Sequence, residues 1–272
     1  MNFYLLGYPV GHSVSPPMHN AAFKELELPH HYSSLGVEPG KLAETLKSKV
    51  RTGDFGGANV TIPHKIEMLR LVDRLDESAE RAGAVNTLKW SEGVLTGHNT
   101  DATGGMKALI DAYGELKGAR MVILGAGGAA NALAAILKPQ VKDLTILNRT
   151  VGKAKTLAEK IGAGYGSLET DQALVGSADI IINATPIGMH PKVSASPIDK
   201  KHLNGEQMVF DIVYNPLKTQ LMLDAEEAGA RTLGGLWMLV YQGAEAFEIW
   251  TGVKPKVQTM YEAAKKALLE VH

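Results

Sequence analysis

The 272-residue sequence predicts an α/β protein of two domains. The first is an N-terminal α/β domain with a mixed sheet, and the second a doubly wound parallel sheet. Three observations carry this. From residue 120 onward, apolar strands alternate with helices, the βαβ succession of a parallel sheet. In the first third, a similar alternation runs into a hairpin pattern, which a purely parallel sheet would lack. The C-terminal segment is helical throughout.

In the first domain, "NFYLLG" (2–7), "HHYSSLGV" (30–37) and "GGANVTI" (56–62) are candidate strands, with helices near 16–27 and 40–50 between them. "AVNTLKW" and "VLTGHN" form a hairpin around Ser91-Glu92-Gly93. In "NVTIPHKIEM" the strand runs into a helix that Pro63 can open, since its missing N–H would go unbonded there. Lys65 then falls in the first helical turn, against the positive end of the dipole, which disfavours a cation and calls for a reason.

The second domain reads more regularly. "RMVILG" (120–125) is a buried strand, and "AANALAAILK" a helix stopped by Pro139. "DLTILN" (143–148) and "KAKTLAEKI" are the next strand and helix, and "ADIIINAT" (178–185) and "QMVFDIV" (207–213) two further strands. Near the end, Leu236, Leu239, Val240, Gly243, Ala246, Phe247 and Trp250 follow the i, i+3, i+4, i+7 rule of a helix, which Gly252 closes. A last helix spans 257–270. With the parallel unit confined to 103–235, the helices of 236–272 would return to complete a first domain of 1–102 and leave a cleft between the two.

Composition narrows the function. The chain is 45% hydrophobic and 21% charged, enough for a substantial core. A net charge of −1 gives no overall attraction to nucleic acid or an anionic membrane. No run approaches the roughly 18 apolar residues of a membrane span. The start, "MNFYLLGYP", has neither the basic region nor the apolar length of a signal peptide. Absence of cysteine excludes disulfides and Cys-based zinc sites and makes a reducing cytoplasm the simplest home. Nine histidines include no H-x-x-x-H, so no metal is expected. No G-x-S-x-G elbow marks a serine hydrolase.

"VILGAGGAA" places Gly125, Gly127 and Ala130 in G-x-G-x-x-A, after a strand and opening a helix, the context of a Rossmann dinucleotide site. Gly125 allows the tight turn, Gly127 the approach of a pyrophosphate, and Ala130 close helix–strand packing. The helix N-terminus supplies N–H donors. After the second strand, where an acid would take the 2′-hydroxyl of NAD, stand Asn148, Arg149 and Thr150, then Lys153. Arg149 can pair with a 2′-phosphate, so the cofactor reads as NADP. Elsewhere the residues leave alternatives open. Ser15 is an N-cap before Pro16 or, with Ser13, a carboxylate site. Asp101 is a helix cap or a functional acid. Gln242 alone reads as a surface amide.

Together, "GHSVSP", "NVTIPHK", "GAVNT", "NTD", "GAGGAA", "NRT", "INATPIGM", "DIVYNPLKT" and "GGLWMLVYQG" resemble the shikimate dehydrogenase family in order and spacing across essentially the whole chain. The resemblance implies an NADPH-dependent, reversible reduction of 3-dehydroshikimate to shikimate, in the shikimate pathway of aromatic amino acid biosynthesis. It implies Lys65 and Asp101 as the catalytic pair. Ser13 and Ser15, with Tyr214 nearby, would hold the substrate carboxylate, and Thr61, Asn86 and Gln242 the ring hydroxyls. Gly125, Ala126, Gly127, Gly128, Ala129, Ala130, Asn148, Arg149, Thr150 and Lys153 would bind NADP, with Thr185, Gly235 and Met238 near the nicotinamide. The expected partners are this small-molecule substrate and no nucleic acid or membrane, in a monomer or homodimer. Three departures stand out: Ala102 where glycine commonly follows "NTD", Lys153 where arginine is frequent, and His64 before the catalytic lysine. The competing readings are a quinate/shikimate dehydrogenase using either cofactor, an NADP-binding sensor without turnover, and a methylenetetrahydrofolate dehydrogenase.

Overall fold

A computed structural model describes residues 1–50 and 53–270. It divides into two compact units: residues 1–104 with 240–272, and 105–239. Val271 and His272, within the predicted C-terminal segment, lie outside the described residues. In chain order the first unit carries β1 (Asn2–Gly7), α1 (Ser15–Glu25), β2 (His31–Gly36), α2 (Leu42–Val50), β3 (Phe55–Val60), β4 (Arg74–Leu75), α3 (Glu77–Ala82), β5 (Thr87–Ser91) and β6 (Val94–His98). Helix α4 (Asp101–Tyr113) contains the first unit boundary.

The first sheet has the order β2-β1-β3-β5-β6-β4. It is mixed: β1 runs parallel to β2 and β3, while the β5–β6 hairpin is antiparallel and pairs antiparallel with β3. The hairpin turns at Glu92 and Gly93, both at positive φ, as a tight two-residue turn requires. All six residues of β3 are buried, so apolar side chains cover the sheet on both faces. Leu6, Phe55, Ala58 and Val60 pack with Leu42 and Leu46 of α2. Alternate residues of β1 face an aromatic cluster, in which Phe3 stacks on Phe23 and Trp250 at 5.4 and 4.8 Å. Trp250 Nε1 donates to the Leu88 carbonyl at 2.9 Å, and Gly57 leaves room for that indole.

The second unit carries β7 (Arg120–Leu124), α5 (Gly128–Leu137), β8 (Asp143–Asn148), α6 (Val151–Ile161), β9 (Gly164–Ser167), β10 (Ile180–Asn183), β11 (Met208–Asp211), α7 (Gln220–Glu227) and β12 (Arg231–Gly234). Its strands are all parallel, in the order β12-β11-β10-β7-β8-β9. That is the doubly wound order, whose switch point lies between β7 and β10. Helix α8 (Gly235–Thr251) contains the second unit boundary, and α9 (Val257–Glu270) packs on α1 in the first unit. Gly252, at φ 73°, ends α8 as expected.

Two local expectations are corrected. Pro63 opens no α-helix. Residues 62–66 form turns and a bend, and a short 3₁₀ segment follows at Glu67–Arg70. The Thr61 carbonyl accepts from His64 N–H at 2.9 Å, closing a turn, and the Lys65 carbonyl accepts from Val85 N–H at 2.8 Å. Long-range backbone pairing thus takes the groups a helix would use, and the dipole argument for Lys65 does not apply. Ser15 is likewise no N-cap. It is the first residue of α1, and its N–H is accepted by Ser13 Oγ at 3.2 Å.

Candidate active site

Backbone pairing brings Lys65 and Asn86 together. Val85 N–H meets the Lys65 carbonyl, and Val60 N–H meets the Asn86 carbonyl, both at 2.8 Å. Thr61 N–H donates to the Leu6 carbonyl at the end of β1, and Gly7 has no Cβ because Thr61 Cγ2 lies where one would stand. Lys65 Nζ reaches Asp101 Oδ2 at 2.7 Å. The pair is partly buried, the side chains 30% and 22% exposed, where charges attract more strongly than on an open surface.

Asp101 is the first residue of α4, but it caps nothing there. Its own N–H is accepted by Asn99 Oδ1 at 3.1 Å, so the carboxylate is released for other partners. Oδ2 takes Lys65 and Oδ1 takes Asn86 Nδ2 at 2.9 Å. The Asn86 amide has one possible orientation, because the Thr100 N–H donates to its Oδ1 at 2.9 Å and Thr87 Oγ1 does the same at 2.9 Å. The amide NH₂ therefore faces Asp101, Thr100 Oγ1 (3.0 Å) and Gln242 Oε1 (3.4 Å). Gln242 is 8% exposed, not a surface amide. Ala102 sits in the first turn of α4, a conformation open to any residue, so the missing glycine introduces no strain.

Lys65, Asp101, Asn86 and Gln242 thus form one connected polar group. Asn59, Thr87 and Thr100, which sequence reasoning passed over, support it. Tyr32 hydroxyl donates to Asn59 Oδ1 (2.8 Å), and Asn59 Nδ2 to Thr87 Oγ1 (3.1 Å). Ser13 and Ser15 make a separate pair, with hydroxyls 3.2 Å apart. Tyr214 lies in the second unit, 36% exposed.

In the second unit the glycine loop follows β7 at the switch point. Gly125 has φ 110°, and a Cβ there would meet the Ala184 carbonyl oxygen at 2.9 Å. Gly127 caps α5 with extended backbone and no side-chain cap, so the helix N–H groups point into the loop unpaired by side chains. Gly127 and Gly128 are exposed, and a Cβ on either would meet nothing within 4 Å. That open approach to a helix N-terminus fits a pyrophosphate. Ala130 is fully buried against the sheet. Asn131, not singled out from sequence, donates to the carbonyls of Ala126 (3.2 Å) and Gly127 (2.8 Å) and so holds the loop from below.

After β8, Asn148 Nδ2 donates to the Thr150 carbonyl at 2.9 Å, folding the loop into a compact turn. Arg149, Thr150 and Lys153 are exposed, and the first turn of α6 holds no acid. These residues suit a phosphate and offer no carboxylate for a ribose hydroxyl. Thr185 Oγ1 donates to Asn183 Oδ1 at 2.6 Å and accepts from Ile187 N–H at 3.2 Å. Asn183 is tied to buried Asp211 (2.9 Å), which also accepts from Thr219 Oγ1 (2.6 Å). Desolvation pushes the Asp211 carboxyl above the usual range. Gly235 opens α8 where any Cβ would strike the Ile212 carbonyl, and Met238 packs by Gly105. Among the described residues, no cluster of His, Cys, Asp or Glu is placed to hold a metal, and no helix is long and apolar enough to cross a membrane.

A dinucleotide fold carried on one chain with a polar unit built round a lysine–carboxylate pair defines a nicotinamide-dependent oxidoreductase. Residues 5–88 match the family described as Shikimate dehydrogenase substrate binding domain. Residues 108–216 match Shikimate / quinate 5-dehydrogenase, and residues 235–265 Shikimate 5'-dehydrogenase C-terminal domain. The chain belongs to the shikimate dehydrogenase family. A Methanosarcina mazei protein named shikimate dehydrogenase (NADP(+)) is 44% identical, over 98% of each chain. A solved shikimate dehydrogenase in complex with NADP+ matches with a TM-score of 0.91 at 41% identity, covering 98% of this chain and 95% of that one. The shikimate 5-dehydrogenase of Thermus thermophilus, in complex with NADP(H) and shikimate, matches at 0.90 and 38% identity, covering 98% and 99%.

Proposed function

We propose that this protein reduces 3-dehydroshikimate to shikimate with NADPH, reversibly, in the shikimate pathway of aromatic amino acid biosynthesis, with Lys65 and Asp101 as the catalytic pair. The observation that carries the reading is the 2.7 Å contact between Lys65 Nζ and Asp101 Oδ2, within a group that also presents Asn86 and Gln242. NADPH supplies the hydride. As negative charge builds on the substrate carbonyl oxygen, Lys65 donates a proton to it and takes one back in reverse. Asp101 orients the ammonium. Asn86, Gln242 and Thr61 hydrogen-bond the ring hydroxyls, and Ser13 and Ser15, with Tyr214, hold the carboxylate.

Residues 1–102 with 236–272 form the substrate-binding part and 103–235 the NADP part in this reading. Gly125 through Ala130 cradle the pyrophosphate, and Asn148, Arg149, Thr150 and Lys153 the adenosine 2′-phosphate. Thr185, Gly235 and Met238 border the nicotinamide. A cytoplasmic location and a monomeric or homodimeric state complete it. The test crosses shikimate and quinate with NADP and NAD, following the absorbance of reduced nicotinamide. Turnover is expected with shikimate and NADP and little with quinate. Comparable efficiency with quinate and NAD would move the assignment to a quinate/shikimate dehydrogenase. A folded protein that binds NADPH and turns over neither substrate is a sensor.

A further inference from the structure

Lys65 sits on a segment whose side chains do little to hold it. Residues 61–66 lie outside any sheet ladder or helix. Ile62 and Ile66, on either side, are 75% and 72% exposed, so their packing cannot fix the segment. Of residues 61–67, only His64 is buried. Its imidazole is fully enclosed, and Nε2 lies 2.7 Å from the Val37 carbonyl oxygen. A carbonyl only accepts, so Nε2 carries the proton. Nδ1 is buried without a hydrogen-bond partner and stands 3.7 Å from Glu67 Oε2.

The anchor is itself fixed. Val37 is a core residue packed with Leu6 and Leu42, and its N–H is bonded to the Gly7 carbonyl at 2.9 Å. His64 N–H and C=O bond to Thr61 (2.9 Å) and Met68 (3.0 Å), so the imidazole adds a side-chain anchor to a segment whose backbone is also bonded at Thr61 (to Leu6, 2.9 Å), Ile62 (from Tyr8, 3.0 Å) and Lys65 (from Val85, 2.8 Å).

We propose that His64 is a positioning residue for the reaction: its bond to Val37 acts with the Val85–Lys65 backbone bond to set the place from which Lys65 reaches Asp101 and the substrate oxygen. This rests on Lys65 as the proton carrier. Loss of the anchor shifts the lysine rather than removing it. A misplacement near 1 Å costs on the order of 10²-fold in rate.

The experiment measures kcat and both KM values for the full-length protein and four variants: His64→Leu, His64→Gln, Lys65→Met, and His64→Leu with Lys65→Met. NADPH binding stoichiometry counts the folded sites. His64→Leu is expected to lower kcat per site about 10–100-fold while KM for NADP changes by less than about threefold. His64→Gln keeps a donor at similar reach and is expected to restore most of kcat. In the double variant the second substitution should add nothing, because the lysine it positions is gone. Should His64→Leu fail to fold, His64→Phe carries the same comparison with a ring in the cavity. Unchanged kcat in the donor-free variant overturns the proposal. So does a kcat for His64→Gln as low as for His64→Leu, or a further full loss in the double variant. Lys65→Met with parental kcat overturns the Lys65 reading instead, and is recognised without reference to His64.

Discussion

Replacing Asp101 with asparagine tests the pair directly. Asp101 offers two oxygens to two donors, Lys65 Nζ at 2.7 Å and Asn86 Nδ2 at 2.9 Å. Asparagine has one oxygen. The Asn86 amide cannot turn to compensate, because the Thr100 N–H holds its Oδ1 at 2.9 Å. Whichever way the introduced amide points, one donor faces an NH₂ group. The lost charge-assisted bond is worth about 1.5–3 kcal/mol. With the two side chains 30% and 22% exposed, water weakens that figure, and the lower half is appropriate. The expected fall in kcat is therefore about 10–40-fold. KM for shikimate should rise less, since Asn86, Gln242 and the serines remain. Asp101→Ala removes the acceptor without adding a misplaced donor, so it should bind shikimate at least as well as Asp101→Asn. Steady-state rates at saturating NADP, with a thermal melt for each variant, decide it. A folded Asp101→Asn protein whose kcat stays within about threefold of the parent refutes the argument that this carboxylate orients the proton donor.

Three further outcomes are expected. Arg149→Ala should raise KM for NADP about 10–150-fold and leave KM for NAD nearly unchanged, with the loss shrinking at high salt; equal losses for both cofactors would assign Arg149 to adenine or to the fold. Ser13→Ala with Ser15→Ala should raise KM for shikimate more than KM for NADP, and since the only bond the pair gives α1 is the long one from Ser15 N–H to Ser13 Oγ (3.2 Å), the melting temperature should fall only slightly; an unchanged KM for shikimate removes the serines from the site. His19 is buried and stacked on Tyr32, and burial lowers its pKa from 6.5 to about 3 against a weaker opposing pull from Asn59. Its neutral form is favoured in the folded state, so this stability is complete above the unfolded value and lost as pH falls from 6.5 toward 3. At full slope the loss is about 1.4 kcal/mol per pH unit. His19→Leu should flatten the decline of melting temperature below neutral pH, and parallel declines would exclude His19 as its cause.

The parallel sheet was legible because its strands are short apolar runs punctuated by glycine and proline, signals that need no tertiary knowledge. What escaped was structure that tertiary contacts impose. β9 and β12 are four residues each and carry glycines, and they exist as edge strands because β8 and β11 offer them partners. α3 is six residues long, but Asp76 accepts from Ser78 N–H and Gly83 closes it in the left-handed region, a start and stop pair that was readable and missed. The Pro63 segment misled for the opposite reason: its local signals favour a helix, and the pairings of Lys65 with Val85 and of His64 with Val37 prevail.

The site divides the same way. Lys65, Asp101, Asn86 and Gln242 were named from motifs, yet no motif says which atoms meet. That depends on the direction of hydrogen bonds, and direction propagates inward from backbone groups whose polarity is fixed. Thr100 N–H can only donate, so Asn86 Oδ1 faces it and Asn86 Nδ2 faces Asp101. Thr87 Oγ1 donates to the same oxygen and is left to accept from Asn59, whose own oxygen then accepts from Tyr32. The amides of Asn86 and Asn59 are each satisfied in only one orientation, since a reversed amide would set donor against donor in a site with little water to relieve it. Asn59, Thr87 and Thr100 are ordinary strand and loop residues in sequence. They matter because they remove the alternative orientation of Asn86, and with it the alternative in which Asp101 faces Lys65 alone.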